Sequence, residues 1–344
     1  NRLFRDDELL SAIPLEEGGV FSPEDLDRAV EKIEEVYARA GHPDVTQLED
    51  NLSAVPVIAE EGPTVVVRIS IQEGPLVRVG RIHVRGLVRT RENVVRRNLT
   101  FYPGEVASSQ EFDRSKSLLI NSGVFERDRN AVQIELAPGD EAVRDVIVRV
   151  QEGPTANLIF SGGFGSRDGF FGEVSLSEEN FDITNWPTSW RDLLHGNAFR
   201  GAGHKLRMRL YASQEATYYN LSFLNPAVYD SRYSVGWDIY STARSRREYD
   251  EERIGFAING GRSLTKFITH TLSVGHENVE IDEVDATAPP AFLMDEGTHG
   301  RPFIRYIAKT DRRDNRFLPS RGYFLQALLE YAAGDVDILM FQLQ

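Results

Sequence analysis

The chain has 344 residues, a net charge of −14, 27% charged and 41% hydrophobic residues, and no cysteine. This composition supports real cores rather than disorder, excludes disulfides, thiolate metal sites and cysteine catalysis, and argues against nucleic-acid binding through a basic surface. A mean hydropathy of −0.35 and the lack of an apolar run near ~20 residues exclude a membrane helix but not a membrane barrel, whose alternating strands average out as hydrophilic.

Asn1 leads directly into Asp6-Asp7-Glu8-Leu9-Leu10, which reads as the inside of a helix. Ile338–Leu343 stops within a strand-like alternation. We read the chain as part of a longer one.

Gln72-Glu73-Gly74-Pro75 recurs as Gln151-Glu152-Gly153-Pro154, an offset of 79. Each copy closes an alternating strand, Val65–Ile71 and Val143–Val150. Each strand is preceded by a helix with similar signals. Ser22-Pro23-Glu24-Asp25 supplies an N-cap, a proline at N1 and first-turn acids. Ser108-Ser-Gln-Glu111 matches a capping box. Gly41 and Gly123 stand where C′ glycines end these helices. From Arg28 to Gly41 is 13 residues and from Arg114 to Gly123 is 9, a difference of one helical turn. The second copy is complete: strand Val77–Arg85, helix Thr90–Leu99, helix Ser109–Ser122, strands Val124–Leu136 and Val143–Val150. The order is β-α-α-β-β, and the first copy lacks its opening strand.

Beyond Pro154 helical periodicity gives way to ten short alternating runs. They are Asn157–Gly165, Phe170–Ser177, Lys205–Ser213, Thr217–Leu224, Tyr233–Thr242, Arg253–Arg262, Phe267–His276, Pro302–Thr310, Tyr323–Tyr331 and Ile338–Leu343. In a soluble sandwich their apolar face packs inward; in an outer-membrane barrel it faces lipid. Three features favour the barrel. Short connections (Ser166–Gly169, Asn225–Arg232, Ser263–Lys266) alternate with long ones (Glu178–His204, Val279–Arg301). Aromatics gather near strand ends, as an interfacial girdle requires. Glycines such as Gly162 and Gly163 sit inside strands.

These residues resemble a known family. The repeat ending in Glu-Gly-Pro resembles the POTRA domain. Gly80–Gly86 followed by Thr90–Arg97 is similar to a POTRA opening strand and first helix, and Leu118–Phe125 to the exit from its second helix. Phe160-Ser-Gly-Gly-Phe-Gly-Ser166, Gly169 and Glu179-Asn180-Phe181 resemble the first barrel hairpin of the BamA family of outer-membrane protein insertases. Asp311–Gly322 resembles a mid-barrel turn and strand start. The resemblance implies an α+β POTRA pair, residues 1–76 lacking a first strand and 77–154 complete. An antiparallel transmembrane β-barrel would follow over 155–344, with about ten of about sixteen strands present. The family's lumen-loop motif and terminal strand are not identifiable. Arg321-Gly322-Tyr323 matches the short motif, but its setting after Pro319 fits the mid-barrel turn. Asp182–Gly203, with Trp186, Pro187 and Trp190, is longer than the family's usual first loop.

No catalytic constellation stands out. The seven histidines show no metal spacing, and Gly162–Gly169 lacks the lysine and helix of a phosphate loop. We expect no enzyme activity, no metal and no cofactor. Any mechanism would then rest on backbone edges. The resemblance marks two. One is the POTRA edge strand Val132, Gln133, Ile134, Glu135 and Leu136, set against a reading in which Arg127, Asp128 and Arg129 blunt it. The other is the first barrel strand, Asn157, Leu158, Ile159, Phe160, Ser161, Gly162, Gly163, Phe164 and Gly165, one lip of a seam whose glycines weaken pairing. Steric bending at a barrel corner is the alternative there.

Residues 1–77 hold six basic and 17 acidic side chains, net −11, whereas 78–154 hold 13 and 11, net +2. Arg78, Arg81, Arg85, Arg89, Arg96 and Arg97 are therefore candidates for contact with an accessory protein or lipid headgroups, or else a solvated face. The resemblance implies unfolded outer-membrane barrel proteins as clients, accessory lipoproteins or other subunits as partners, and a bacterial outer-membrane location with a periplasmic POTRA arm. A two-partner-secretion pore, and a soluble β-sandwich binding module, are the other readings.

Overall fold

The computed structural model describes residues 2–47, 52–58, 64–139, 141–166, 169–285, 296–315, 318–334 and 338–343. The first repeat holds α1 (Asp6–Ala12), α2 (Pro23–Arg39), α3 (Asp44–Gln47), β1 (Leu52–Ile58) and β2 (Val65–Ile71). The second holds β3 (Arg78–Arg85), α4 (Glu92–Arg96), α5 (Ser109–Asn121), β4 (Val132–Leu136) and β5 (Val143–Val150). Then come β6 (Ala156–Gly165), β7 (Gly169–Phe181), α6 (Trp190–Leu194), β8 (His204–Ser213), β9 (Ala216–Asn225) and β10 (Tyr233–Ser245). The last strands are β11 (Asp250–Ser263), β12 (Ile268–Asp282), β13 (Gly297–Asp311), β14 (Phe324–Ala332) and β15 (Ile338–Leu343).

The chain divides into two compact units. One comprises Asn1–Arg85, Leu99–Ser117 and Val132–Val150; the other Gly86–Asn98, Leu118–Ala131 and Gln151–Gln344. In the first unit, Leu9, Ile33, Tyr37 and Val45 form a buried core against Leu52, Ile69 and Ile71. Helix α2 places Leu26, Ala29, Ile33 and Tyr37 on one face, the 3.6-residue spacing of an amphipathic helix. Pro23 stands at N1 as expected, but the Ser22 hydroxyl makes no cap hydrogen bond. In α5, Glu111 pairs with Arg114. Gly41 adopts φ +91°, and a Cβ there would meet Val106 at 2.2 Å, so that position requires glycine twice over. The sheet of the second repeat runs β3-β5-β4, with β3 parallel and β4 antiparallel to β5. Arg144 of β5 and Asp44 of α3 form an ion pair at 2.7 Å with 3% and 7% of their side chains exposed. It ties the two repeats together.

The expected strand over Val124–Leu136 is broken. Phe125 bridges to Glu152, and the Asn130 N–H donates to Asp128 at 2.9 Å, turning the chain before β4 begins. Each of the ten expected runs forms a strand, and β6 through β15 pair in sequence as one antiparallel meander. Among the described residues the sheet is not closed, and β6 and β15 are its outer strands. Strands β10 to β13 have 13, 14, 15 and 15 residues, more than the ~9–11 that a tilted strand needs to cross a bilayer.

The two faces of this sheet differ. Val235, Ile239, Phe256, Ile258, Val274 and Ile304 stand exposed on one. The other carries ion pairs such as Glu173–Arg209 (2.8 Å), Glu277–Arg301 (2.5 Å) and Glu330–Arg305 (2.6 Å). An apolar face of this size has to be covered, and lipid is the cover that leaves an inward charged face. Among the described residues no helix is long and apolar enough to cross a membrane. Connection lengths, however, do not sort by end. The long connections 182–203 and 283–296 are the second and seventh in the meander, so they fall at opposite ends. Strands β12 and β13 also extend into the expected loop, and 286–295 of it lies outside the described residues. The alternating strands form the antiparallel sheet as expected, whereas long and short connections do not alternate by end.

Candidate functional site: two free strand edges

Strand β6 pairs with β7 over its whole length, from Ala156↔Glu178 to Gly165↔Gly169. Among the described residues no strand pairs with its other edge. Residues Asn157 to Phe164 are all exposed, as an edge strand covered on neither face must be. Leu158 and Phe160 lie opposite Leu176 and Val174 on the apolar face. The glycines do not all thin the packing. A Cβ on Gly163 would meet the Phe171 ring at 2.9 Å, and that ring stacks on Tyr211. The aromatic covers the bare backbone from the neighbouring strand, a device that holds register.

Strand β4, Val132 to Leu136, is an outer strand of the β3-β5-β4 sheet. Val132 is buried, Gln133 and Glu135 face out, and Ile134 and Leu136 are half-buried. Glu135 pairs with Arg149 on β5. Residues 127–129 precede the strand rather than lie on it. The other outer strand, β3, is partly covered. Val79 donates its N–H to Glu105 and accepts from Gly104, both at 2.8 Å. Of the two edges, β4 is therefore the one with room for an added strand.

The arginines separate into different environments. In the first unit Arg78 donates to the Gly104 carbonyl at 2.9 Å, Arg81 pairs with Asp145 at 3.4 Å, and Arg85 is exposed at the end of β3. In the second, Arg89 is exposed and Arg96 pairs with Glu92 at 2.6 Å. Arg97 is half-buried and donates to the Gly203 carbonyl at 3.0 Å. Composition alone did not show that Arg97 is turned inward. Arg91, in the same arginine-rich stretch, pairs at 2.5 Å with Asp182, a carboxylate only 2% exposed. Around them Thr90 accepts from Asn180 at 2.9 Å, Asn93 donates to Asp230 at 2.9 Å, and Lys266 donates to the Arg97 carbonyl. The segment Gly86–Asn98 is thus pinned to three connections at one end of the sheet. That pinning shortens the expected helix. Thr90 and Arg91 give their N–H groups to Glu152 and Gly201, so only Glu92–Arg96 is helical.

Glu152, from the repeated Gln-Glu-Gly-Pro, accepts the backbone N–H groups of Val88, Arg89 and Thr90 at 2.7–3.0 Å. Burial raises its carboxyl, but these donors outweigh burial and hold it below the ordinary carboxylate range. Among the described residues no cluster of three or more acidic or histidine side chains is arranged to hold a metal.

Comparison with known proteins agrees with this architecture. The Omp85 superfamily domain matches residues 198–344, and the POTRA surface antigen variable number repeat matches 1–74 and 77–153. The chain is 25% identical over 267 residues to the outer membrane protein assembly factor BamA of Neorickettsia risticii (strain Illinois), covering 76% of this chain and 33% of that protein. To BamA of Neisseria meningitidis serogroup B it is 23% identical over 295 residues, covering 83% and 33%. The chain thus spans about a third of these relatives. The crystal structure of BamA from Haemophilus ducreyi lacking POTRA domains 1–3 superposes with a TM-score of 0.66 at 18% identity, covering 96% of this chain and 62% of that one. Two POTRA repeats followed by an Omp85-type strand region make this chain a member of the BamA family of outer-membrane protein assembly factors, with its repeats in the periplasm and its strands in the outer membrane.

Proposed function

We propose that this chain is the membrane-proximal part of an insertase that folds client barrel proteins into the outer membrane. The single observation that carries the reading is the domain order, two POTRA repeats with an outer strand β4 leading straight into the first barrel strand β6. In a closed barrel, a seam opening beside β6 would expose a row of N–H and C=O groups at the level of an apolar face, a template for an incoming strand. Its apolar neighbours then supply a lipid-facing surface for that strand's own apolar side chains. Strand β4 offers a second edge, five residues long, on the periplasmic side. There an extended client would be held before insertion by β-augmentation. The partners this requires are unfolded outer-membrane proteins, accessory subunits that deliver them, and lipid.

The work is done by exchange of backbone hydrogen bonds. A client strand arriving from water leaves water-bonded amides and gains a ladder on β6. In the hydrocarbon layer an unsatisfied amide costs several kcal/mol, so a paired edge removes most of the barrier to a strand's entry. The test is to reconstitute the whole protein with its accessory subunits in vesicles and follow folding of a urea-unfolded client barrel by heat-modifiable mobility. Faster client folding than in empty vesicles supports the reading. Unchanged client folding together with export of one dedicated partner protein would point to a secretion pore.

A further inference from the structure

The connection between β7 and β8, residues 182–203, holds its shape through its own side chains. Asp182 accepts both the N–H and the hydroxyl of Thr184, at 3.0 and 2.7 Å. Asn185 donates to the carbonyls of Asn197 and Arg200, each at 2.9 Å. Asp192 accepts the N–H groups of Thr188 and Ser189 and the Thr188 hydroxyl at 2.5–3.0 Å. These bonds fix the turn at Pro187 and the start of α6, and they hold the Asp192 carboxyl below its ordinary range.

A connection so well tied still leaves its largest apolar groups in the open. Trp186 is 68% exposed, Trp190 83% and Ile183 56%. They are not isolated from the sheet. Trp186 meets Phe199 edge-on at 5.3 Å, Phe199 stacks on Phe181 at 6.2 Å, and Phe181 meets Phe223 at 6.2 Å. Phe223 in turn stacks on Trp237 at 6.1 Å, its partner across the β9–β10 ladder. Trp237 shares a strand face with Val235 and Ile239, the apolar face. Near the end of β7, Arg200 pairs with Glu178 at 2.8 Å, both largely buried. A chain of ring contacts therefore runs from the lipid-facing strands onto the connection, beside the Glu178–Arg200 ion pair.

We propose that residues 182–203 form a lipid-docking foot whose Trp186 and Trp190 rings seat in the headgroup boundary of the periplasmic leaflet. Tryptophan is enriched at that depth because its ring is apolar and its N–H needs a wet partner. Exposed Arg191, next to Trp190 on α6, is placed to meet a lipid phosphate. Continuity with the lipid-facing strands names the occupant. A stable protein partner would need about 800 Å² on this side, and three side chains around a five-residue helix fall short of that. The foot is joined through Arg200 and Glu178 to the β7 residue that pairs with Ala156 of β6. It thereby fixes the bilayer level beside the first strand. This inference goes beyond the insertase reading and stands without it.

The test compares the whole protein with the Trp186→Phe/Trp190→Phe variant, in phosphatidylethanolamine–phosphatidylglycerol vesicles carrying brominated acyl chains. The difference in tryptophan emission reports the two rings alone. We expect that emission to be blue-shifted and to lose most of its intensity to bromines near the headgroups, and less to bromines near the chain ends. Emission that bromolipid leaves unquenched and aqueous iodide quenches fully would overturn the proposal. Rings shielded from iodide only when accessory subunits are added, with no bromolipid quenching, would overturn it in favour of a protein contact. Trp190→Phe alone, at the most exposed position, should remove its share of the quenchable emission with heat-modifiable mobility unchanged. Loss of no quenchable emission in that variant would count against the foot.

Discussion

The Glu152 carboxylate accepts the backbone N–H of Thr90 at 2.7 Å. The first repeat repeats the contact: Glu73 accepts the N–H groups of Arg2 and Leu3 at 2.7 and 3.0 Å. Each Gln-Glu-Gly-Pro thus places a carboxylate under the chain that leads into the repeat's first helix. In the first repeat Glu73 also accepts the hydroxyl of Tyr37, whose phenol burial and the nearby carboxylate push up to about 12.

Glu152→Ala is therefore expected to free the Val88–Thr90 amides. Hydrogen bonds to an ionised group contribute about 1.5–3 kcal/mol, so amide protection there should fall at least about tenfold. Acid should act in the same direction. The folded carboxyls of Glu152 and Glu73 lie below their ordinary 4.5. Their contribution is complete above the unfolded value and is lost as pH falls through the folded one. Protection of residues 88–90 in the parent should drop below about pH 4.5, whereas Glu152→Ala should show a flatter acid profile.

Asp44→Ala is expected to cost about 3–5 kcal/mol, because it strands the Arg144 guanidinium in a buried site. Asp44→Leu with Arg144→Met should cost much less, since no buried charge is left. Thermal unfolding followed by far-UV circular dichroism, run as a double-mutant cycle, separates the two.

Gly275→Ala is expected to loosen the sheet. Its Cβ would meet the Phe303 ring at 2.3 Å and the Phe256 carbonyl oxygen at 2.6 Å. Phe303 is already packed with Ala257 and Ala332, so it has little room to yield, and overpacking of this kind costs about 1–3 kcal/mol. Gly260→Ala meets nothing within 4 Å and serves as the control. The temperature at which heat-modifiable mobility is lost should fall for the first and hold for the second.

Most of the fold was legible because two local signals persist in it. Period-two alternation marks most strands of the meander, whose apolar residues fall on one face and whose charges fall on the other. The Glu-Gly-Pro repeat marked the domain pattern. What was hidden depended on distant partners. The short α4 follows from Thr90 and Arg91 giving their N–H groups to Glu152 and Gly201, which no window around Thr90 reports. Arg97 looked like a surface charge until Gly203 was folded against it. The pair Trp186 and Trp190 was visible as an insertion, but its link to Trp237 runs through Phe199, Phe181 and Phe223. No spacing in the sequence encodes that chain.

In lipid, the β6 amides should exchange faster than those of β10. Strand β6 carries Gly162, Gly163 and Gly165, which weaken its pairing, whereas β10 is held on both sides by β9 and β11. Phe171 over Gly163 should leave a local minimum of exchange near Gly163. Equal protection along the two strands would count against a labile first strand.

The central claim is that client strands pair with β6. Its most direct test places a photocrosslinking residue at Asn157, Ile159 or Ser161 in the whole protein, with Asp238 on β10 as the control, while a client barrel is being assembled. The account predicts client adducts at the β6 positions, depleted when assembly is complete, and none at Asp238. Adducts absent from β6, or equally strong at Asp238, would contradict it.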